Sequence, residues 1–144
     1  MLRDERQAAL NDLLVAIEDA ADGHEDAATQ CGDAAVAAQL RALAAERAGM
    51  AREVEDTVRR LGDLPRQADR DLESARRLIT RVVTALSGDE RRALLDQRAE
   101  AERELLRHVD AALATGMPQD IAATLETFRA RIETAIRELE AAAG

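Results

Sequence analysis

Apolar side chains recur at alternating steps of three and four residues along most of the chain, a spacing that places them on one face of a helix. The pattern is interrupted where helices commonly start or stop, at Asp33, Gly62, Gly116 and Pro118. It predicts an all-α chain forming one helical-bundle domain over residues 1–144. The predicted helices cover about 4–31, 34–61, 67–86, 89–115 and 118–142.

Polar residues enter the predicted inward faces of three segments. His24 continues the apolar spacing of the first segment, and Arg47 continues that of the second. The inward face predicted for the fourth segment is Leu94, Arg98, Ala101, Glu102, Leu105, Val109 and Ala112. The fifth segment shows no such interruption, and its inward positions are Ile121, Leu125, Phe128, Ile132, Ala135, Leu139 and Ala142.

The connections predict how the helices are arranged. The turns after the first and fourth segments are short, so each forms an antiparallel pair with the segment that follows it. The third segment, at about 20 residues, would span ~30 Å, a whole bundle length. It is therefore predicted to be a helical crossover, and Ser87 with Glu90 has the spacing of a capping box that starts the next helix. With this crossover, the second and fourth helices run parallel.

Composition narrows the class of protein. Alanine, glutamate, arginine and leucine dominate and favour helices, and Phe128 is the single aromatic residue. The net charge of −9 argues against binding to nucleic acid or acidic lipid. No apolar run reaches the ~20 residues of a membrane span. With one cysteine, Cys31, and acids near the start where a secretory signal would be apolar, we expect a cytoplasmic protein.

Three stretches resemble a bacterial family: LNDLLVAIEDAADGHEDAA (10–28), AAERAGMAREVEDTVRRLGDLP (44–65) and ALSGDERRALL with AEAERELL (85–106). They are similar to ferritin-like, rubrerythrin-related four-helix bundles of unknown function. The resemblance implies a ferritin-like antiparallel four-helix bundle with an additional helical crossover. It also implies a fold whose metal-binding members hold two ions with inward carboxylates and Glu-x-x-His pairs.

This ligand pattern is only partly present. Glu46 stands where a carboxylate of the second helix would fall, but Gly49 takes the place of the histidine, and Glu126 is followed at the same spacing by Arg129. A reduced iron or manganese site would draw on the remaining acids and one histidine. The candidate metal ligands are His24, Glu25, Glu46, Glu53 and Glu102.

The same polar positions have a structural interpretation. Arg98 lies one turn before Glu102, and Arg47 adjoins Glu46, so these cations would neutralise the acids and repel a divalent ion. We therefore predict a structural polar network of Arg47, Arg98 and Glu102. His24 is more simply a core histidine bonded to an inward carboxylate than a metal ligand.

These observations favour a non-catalytic protein. No serine, cysteine or lysine nucleophile has a recognisable base beside it. The sequence predicts a stress-associated or self-associating interaction module without a cofactor. Flanks rich in alanine would allow it to form a homodimer. A further alternative is that its acidic surface binds an unidentified protein partner. The alternative is a ferritin-like protein that binds iron or manganese at a reduced di-metal site. The alanine-rich flanks are Ala8, Ala9, Ala34, Ala37 and Ala38.

Overall fold

Four helices make up the described part of the protein. The structure is a computed structural model, and it describes residues 4–62 and 88–144. The helices are α1 (Glu5–Gln30), α2 (Ala34–Arg60), α3 (Gly88–Leu113) and α4 (Gln119–Ala143). The predicted third helix at 67–86 and the capping residue Ser87 lie outside the described residues.

Local sequence signals define most of the helix ends. Asp4 caps α1 in a reciprocal capping box with Gln7, and the Asp33 carboxylate accepts hydrogen bonds from the first amides of α2. Gly62 and Gly116 follow α2 and α3 with φ of 83° and 77°, a left-handed conformation that favours glycine. Pro118 is the N-cap of α4, one position before its first helical residue.

The helices form an antiparallel four-helix bundle. Contacts between α1 and α2 pair Gln7 with Leu61 and Glu25 with Arg41, so these two helices run in opposite directions. α1 also packs against α3, and α4 packs along α3 and touches α2. Each neighbouring pair is antiparallel, which makes α2 parallel to α3. These two helices face each other across the bundle, and the end of α2 and the start of α3 lie at opposite ends of it.

The described core consists of two apolar clusters. The first, here called the large cluster, contains Leu10, Leu13, Leu14, Ile17, Ala20, Met50, Ala51, Val54, Val58, Leu105, Val109, Ala112, Ile121, Leu125, Phe128 and Ile132. The second, here called the alanine-rich cluster, contains Ala27, Ala28, Cys31, Val36, Ala37, Leu40, Leu43, Leu95, Ala99, Ala135, Leu139 and Ala143. The two clusters occupy opposite ends of the bundle.

The inward face of α3 differs from the predicted one in its first half. Leu95 and Ala99 are buried, whereas Leu94 and Arg98 are only partly buried. The predicted face included both Ala101 and Glu102. Counting back from Ala101, by three and then four residues, reaches Arg98 and Leu94, each one position before a buried residue. Counting back from Glu102 alone, by three and then four residues, reaches Ala99 and Leu95. Ala143 similarly replaces Ala142 at the end of α4.

Within residues 4–62 and 88–144, no helix is both long enough and apolar enough to cross a bilayer.

Candidate functional site

A layer of charged and polar side chains separates the two apolar clusters. His24 lies between Ala20 and Ala27 on α1, and the corresponding positions are Arg47 on α2 and Glu102 on α3. All three side chains have no solvent exposure. At this level α4 contributes only apolar neighbours, because its inward positions pass directly from Ile132 to Ala135. We call His24, Arg47 and Glu102 the charged layer.

The Glu102 carboxylate is the centre of the layer. Arg47 reaches it across the bundle from α2, with Nε 2.9 Å from Oε1 and 3.2 Å from Oε2, and with Nη2 2.5 Å from Oε1. Such two-nitrogen contact is the strongest pairing of a guanidinium with a carboxylate. His24 Nε2 lies 3.1 Å from Oε2. Both carboxylate oxygens are therefore already bound by groups of the protein.

The remaining nitrogen atoms define the state of the histidine. Arg98 Nη1 lies 3.4 Å from His24 Nδ1, and a guanidinium can only donate. Nδ1 must therefore accept, which places the ring proton on Nε2, where it is donated to Glu102. His24 is thus a neutral imidazole that accepts a hydrogen bond from the Arg98 guanidinium and donates one to the Glu102 carboxylate.

A glycine makes room for Arg98. Its guanidinium lies against the α1 backbone at Gly23, where an added Cβ would be 3.2 Å from Cζ and closer still to Nη1. Any side chain at this position would displace the guanidinium. The Arg98 Nε is buried and has no hydrogen-bond partner among residues 4–62 and 88–144. No ion pair joins Arg98 to Glu102, so the predicted pair one turn apart is replaced by the longer connection through His24.

Burial and charge shift the pKa of His24 and Glu102 in the layer, and that of Arg98 beside it. Burial lowers the pKa of His24, outweighing the opposing effect of Glu102, and the nearby guanidinium groups lower it further. Burial alone would raise the pKa of Glu102, but the hydrogen bonds from His24 and Arg47 and the charge of Arg47 together hold it below its usual value. Burial also lowers the pKa of Arg98. Glu102 is therefore an ionised carboxylate and His24 a neutral imidazole.

The predicted metal ligands do not converge. Of the five candidates, only His24 and Glu102 meet. Glu46 is 44% exposed and lies 3.3 Å from Arg47 Nη1, and Glu25 is 58% exposed beside Arg41. Glu53 is exposed on α2.

The residues present therefore do not fit the two-ion centre that the resemblance implies. Arg47 Nη2 occupies the space beside Glu102 where a cation would have to bind. In the described ranges, no three histidine, cysteine, aspartate or glutamate side chains come close enough to hold an ion. A buried arginine supplies the positive charge instead.

Sequence reasoning missed several members of the site and its surroundings. The contact between Gly23 and the Arg98 guanidinium was not predicted, although a glycine inside a helix often marks a place where another group approaches the backbone closely. Asn11 and Glu18 are buried on α1, seven residues apart, where their spacing places them on one side of the helix. Thr57, by contrast, continues the inward spacing predicted for the second segment and is buried, with its hydroxyl donating to the Glu53 carbonyl.

Arg98 also borders a surface groove. This groove of about 430 Å³ lies between α1 and α3 and ends near His108, which is 36% exposed and 3.8 Å from Glu104. Its floor is apolar, with Ala16 and Leu105, and its rim carries Asp12. Arg98 thus lines the groove and also contacts His24 of the charged layer.

Comparison with known proteins gives one match. No curated protein and no solved structure matches the chain. One family model covers α1, α2 and α3 and ends two residues after α3, so α4 lies beyond it. From residues 5–115, the chain belongs to the family described as Domain of unknown function (DUF2383).

Proposed function

We propose that this protein is a non-catalytic helical bundle that acts through its surface, as a module that associates with a second copy of itself. The observation that carries this proposal is the saturation of Glu102. Both of its oxygens are bound by Arg47 and His24 at zero exposure. These buried groups therefore hold three helices together. Among the described residues, their contacts leave no free oxygen of Glu102 to bind a metal ion or a substrate.

A ferritin-like origin is part of the proposal. It is supported by the parallel course of α2 and α3, which is the connectivity of ferritin-like bundles rather than of up-and-down bundles. In such a bundle, the central layer is where carboxylates of several helices meet. Here Arg47 and Arg98 bring positive charge to that layer, so the bundle has the helical arrangement of a ferritin-like protein but, in its described part, lacks the set of metal ligands.

The surface supports association in two ways. Ala34 and Ala38 are exposed on α2, so another helix can approach the backbone closely there. Ala37, by contrast, is in the alanine-rich cluster, while Ala8 and Ala9 are partly buried. Small exposed residues lower the side-chain entropy lost when two surfaces meet.

Two measurements on the full chain test this function. Sedimentation velocity from low to high micromolar concentration is expected to show a concentration-dependent dimer. Elemental analysis after growth with added iron and manganese, with purification free of chelators and histidine tags, is expected to show no stoichiometric metal. A bound metal that is lost in both His24→Ala and Glu102→Ala would replace this proposal with a metal-binding function, and a strict monomer would end the self-association proposal.

A further inference from the structure

The face of the bundle between α2 and α4 is a groove with an unusual lining. α4 touches α2 at few points, and a groove of about 270 Å³ separates their outer edges. Leu43 and Ala135 form its floor. The α4 edge is built mainly from small residues, with Ala130 and Thr134 exposed along it. The Thr134 hydroxyl donates to the Ala130 carbonyl and accepts from Arg137 Nη2 at 3.1 Å, so its hydrogen bonds are made within its own helix.

This edge of α4 carries two opposite charges that have no partner among the described residues. Arg131 and Glu138 both line the groove, and both are exposed. Across residues 4–62 and 88–144, neither of them takes part in an ion pair or hydrogen bond. The other edge of α4 is different, since Arg129 pairs with Asp110 and Arg103 pairs with Glu140. The two edges of the same helix thus differ in whether their charges are satisfied within the chain.

The spacing of the two charges is self-complementary. Arg131 and Glu138 are seven residues apart, which is two helical turns or about 10.5 Å on one side of α4. If two copies of α4 cross antiparallel about a twofold axis at Thr134, Arg131 of each copy faces Glu138 of the other. A twofold interface repeats every contact, so one helix edge forms two such pairs. A single unpaired charge, or two of one sign, could not do this.

Steric factors agree with this arrangement. The axis passes beside Thr134, and Ala130 is its neighbour one turn earlier on the same edge. Helices with small residues at their crossing point approach closely, and the shallow crossing typical of bundles keeps two turns aligned. The apolar floor at Leu43 and Ala135 would lose its remaining exposure to water in the same contact.

From this geometry we propose that the groove between α2 and α4 binds the same groove of a second copy of this chain, in a twofold dimer held by reciprocal pairs of Arg131 with Glu138. This proposal rests on the self-association proposed above and places its surface at this groove rather than at Ala34 and Ala38. The partner is identical because the charge pattern complements itself.

Charge reversal tests the pairing directly. Arg131→Glu gives a chain with two acids on the edge, and Glu138→Arg gives one with two bases. Each alone would place like charges opposite each other, and the dimer dissociation constant is expected to rise about tenfold or more. In a 1:1 mixture of the two variants, opposite charges meet at both positions, so a heterodimer is expected to form with affinity close to that of the wild type. Sedimentation velocity, with one variant fluorescently labelled, distinguishes these species.

Controls separate this surface from general effects of charge and folding. Arg52→Glu and Asp96→Arg make the same changes in net charge at exposed positions elsewhere, and the dimer is expected to persist in both. Thr134→Trp inserts a bulky side chain at the axis and is expected to abolish association, including that of the mixed charge variants. All these positions are exposed, so thermal melts monitored by circular dichroism are expected to match the wild type.

The outcomes distinguish the two proposals. A wild-type chain that remains monomeric throughout overturns both the self-association and its surface. Dimers that persist in Arg131→Glu and Glu138→Arg overturn the surface but leave self-association standing through another face. Loss of the dimer in both single variants without recovery in their mixture overturns the reciprocal pairing.

Discussion

The two apolar clusters on either side of the charged layer are built differently. The large cluster contains Phe128 and a majority of leucine, isoleucine and valine, whereas alanines 27, 28, 37, 99, 135 and 143 make up half of the alanine-rich cluster. Apolar burial stabilises a fold by about 25 cal/mol for each Å² removed from water, and an alanine has little area to bury. The comparison indicates that the large cluster supplies most of the hydrophobic stability. The other end depends more on close helix packing and on the charged layer beside it.

The largest expected effect comes from leaving a buried charge without its partner. Glu102→Ala removes the carboxylate between the clusters and leaves the Arg47 guanidinium buried, which is expected to lower the free energy of unfolding by about 3–5 kcal/mol. Replacing the whole layer, as His24→Leu with Arg47→Met and Glu102→Leu, joins the clusters through apolar contacts and is expected to restore most of that loss. Chemical denaturation of both variants measures the difference, and equal losses would contradict the account.

A matched pair of truncations on α4 compares the clusters directly. Leu125→Ala opens a cavity among large side chains in the large cluster, where neighbours cannot close it, and is expected to cost toward the upper end of about 2–5 kcal/mol. Leu139→Ala lies one turn from the end of α4, where the helix can close onto its alanine neighbours, and is expected to cost less. Both leucines are 1% exposed, so burial does not separate them. A larger loss for Leu139→Ala in urea denaturation would reverse the comparison.

Acid is expected to weaken the boundary between the clusters before it affects the clusters themselves. In the unfolded chain His24 has its ordinary pKa near 6.5, and folding lowers it. Between the two values the unfolded chain binds more protons, so stability falls as pH drops below about 6.5. The lowered pKa of Glu102 adds a second loss as pH falls below about 4.5, where the unfolded carboxyl takes up its proton.

A neutral replacement isolates the contribution of the histidine. The His24→Gln amide can donate to Glu102 and accept from Arg98, but it cannot be protonated. Its stability is expected to remain level between pH 7.5 and 5.5, while that of the wild type declines. His108→Gln, at the other histidine, serves as the control and is expected to decline like the wild type. A wild-type curve that is flat over this interval would contradict the lowered pKa of His24.

The smallest expected effect concerns Gly23, against which the Arg98 guanidinium lies. Gly23→Ala should gain about 1 kcal/mol from helix propensity but lose a comparable amount by displacing the guanidinium from His24, so the net change is expected to be within about 1 kcal/mol. Gly23→Ala with Arg98→Ala is expected to recover the propensity gain. Nitrogen chemical shifts of the His24 ring report the change independently, since Nδ1 loses its donor. Unchanged shifts in Gly23→Ala would mean that Arg98 does not fix the tautomer.

The periodicity of the sequence predicted the four helices that the structure describes and most of their core, because an apolar stripe has one way to face inward. Its success was greatest on α4, where no polar residue interrupts the stripe. It failed by one residue on α3, where Ala101 and Glu102 offered two registers. Arg98 was consequently placed in the core beside Glu102, whereas only its guanidinium reaches inward, toward His24.

The site was harder to predict than the fold because its contacts join residues distant in sequence. His24 and Glu102 are 78 residues apart, and Arg47 and Glu102 are 55 apart. Spacing along one helix shows that each side chain points inward, but not which partner it meets, since that depends on the level at which the helices pack. Arginine beside the acids did indicate that positive charge enters the layer. It did not indicate that Arg47 binds both carboxylate oxygens.

The missing side chain of Gly23 also bears on the order in which substitutions can accumulate. While Arg98 is present, a methyl group at position 23 displaces its guanidinium, and this loss offsets the gain in helix propensity. If Arg98 is first replaced by a short residue, the same methyl group becomes favourable, because alanine suits a helix better than glycine. Once it is fixed, an arginine that returned to position 98 could no longer place its guanidinium against the α1 backbone beside His24. A pair of neighbouring positions can thus act as a ratchet, in which the first loss of the cation makes its own reversal costly.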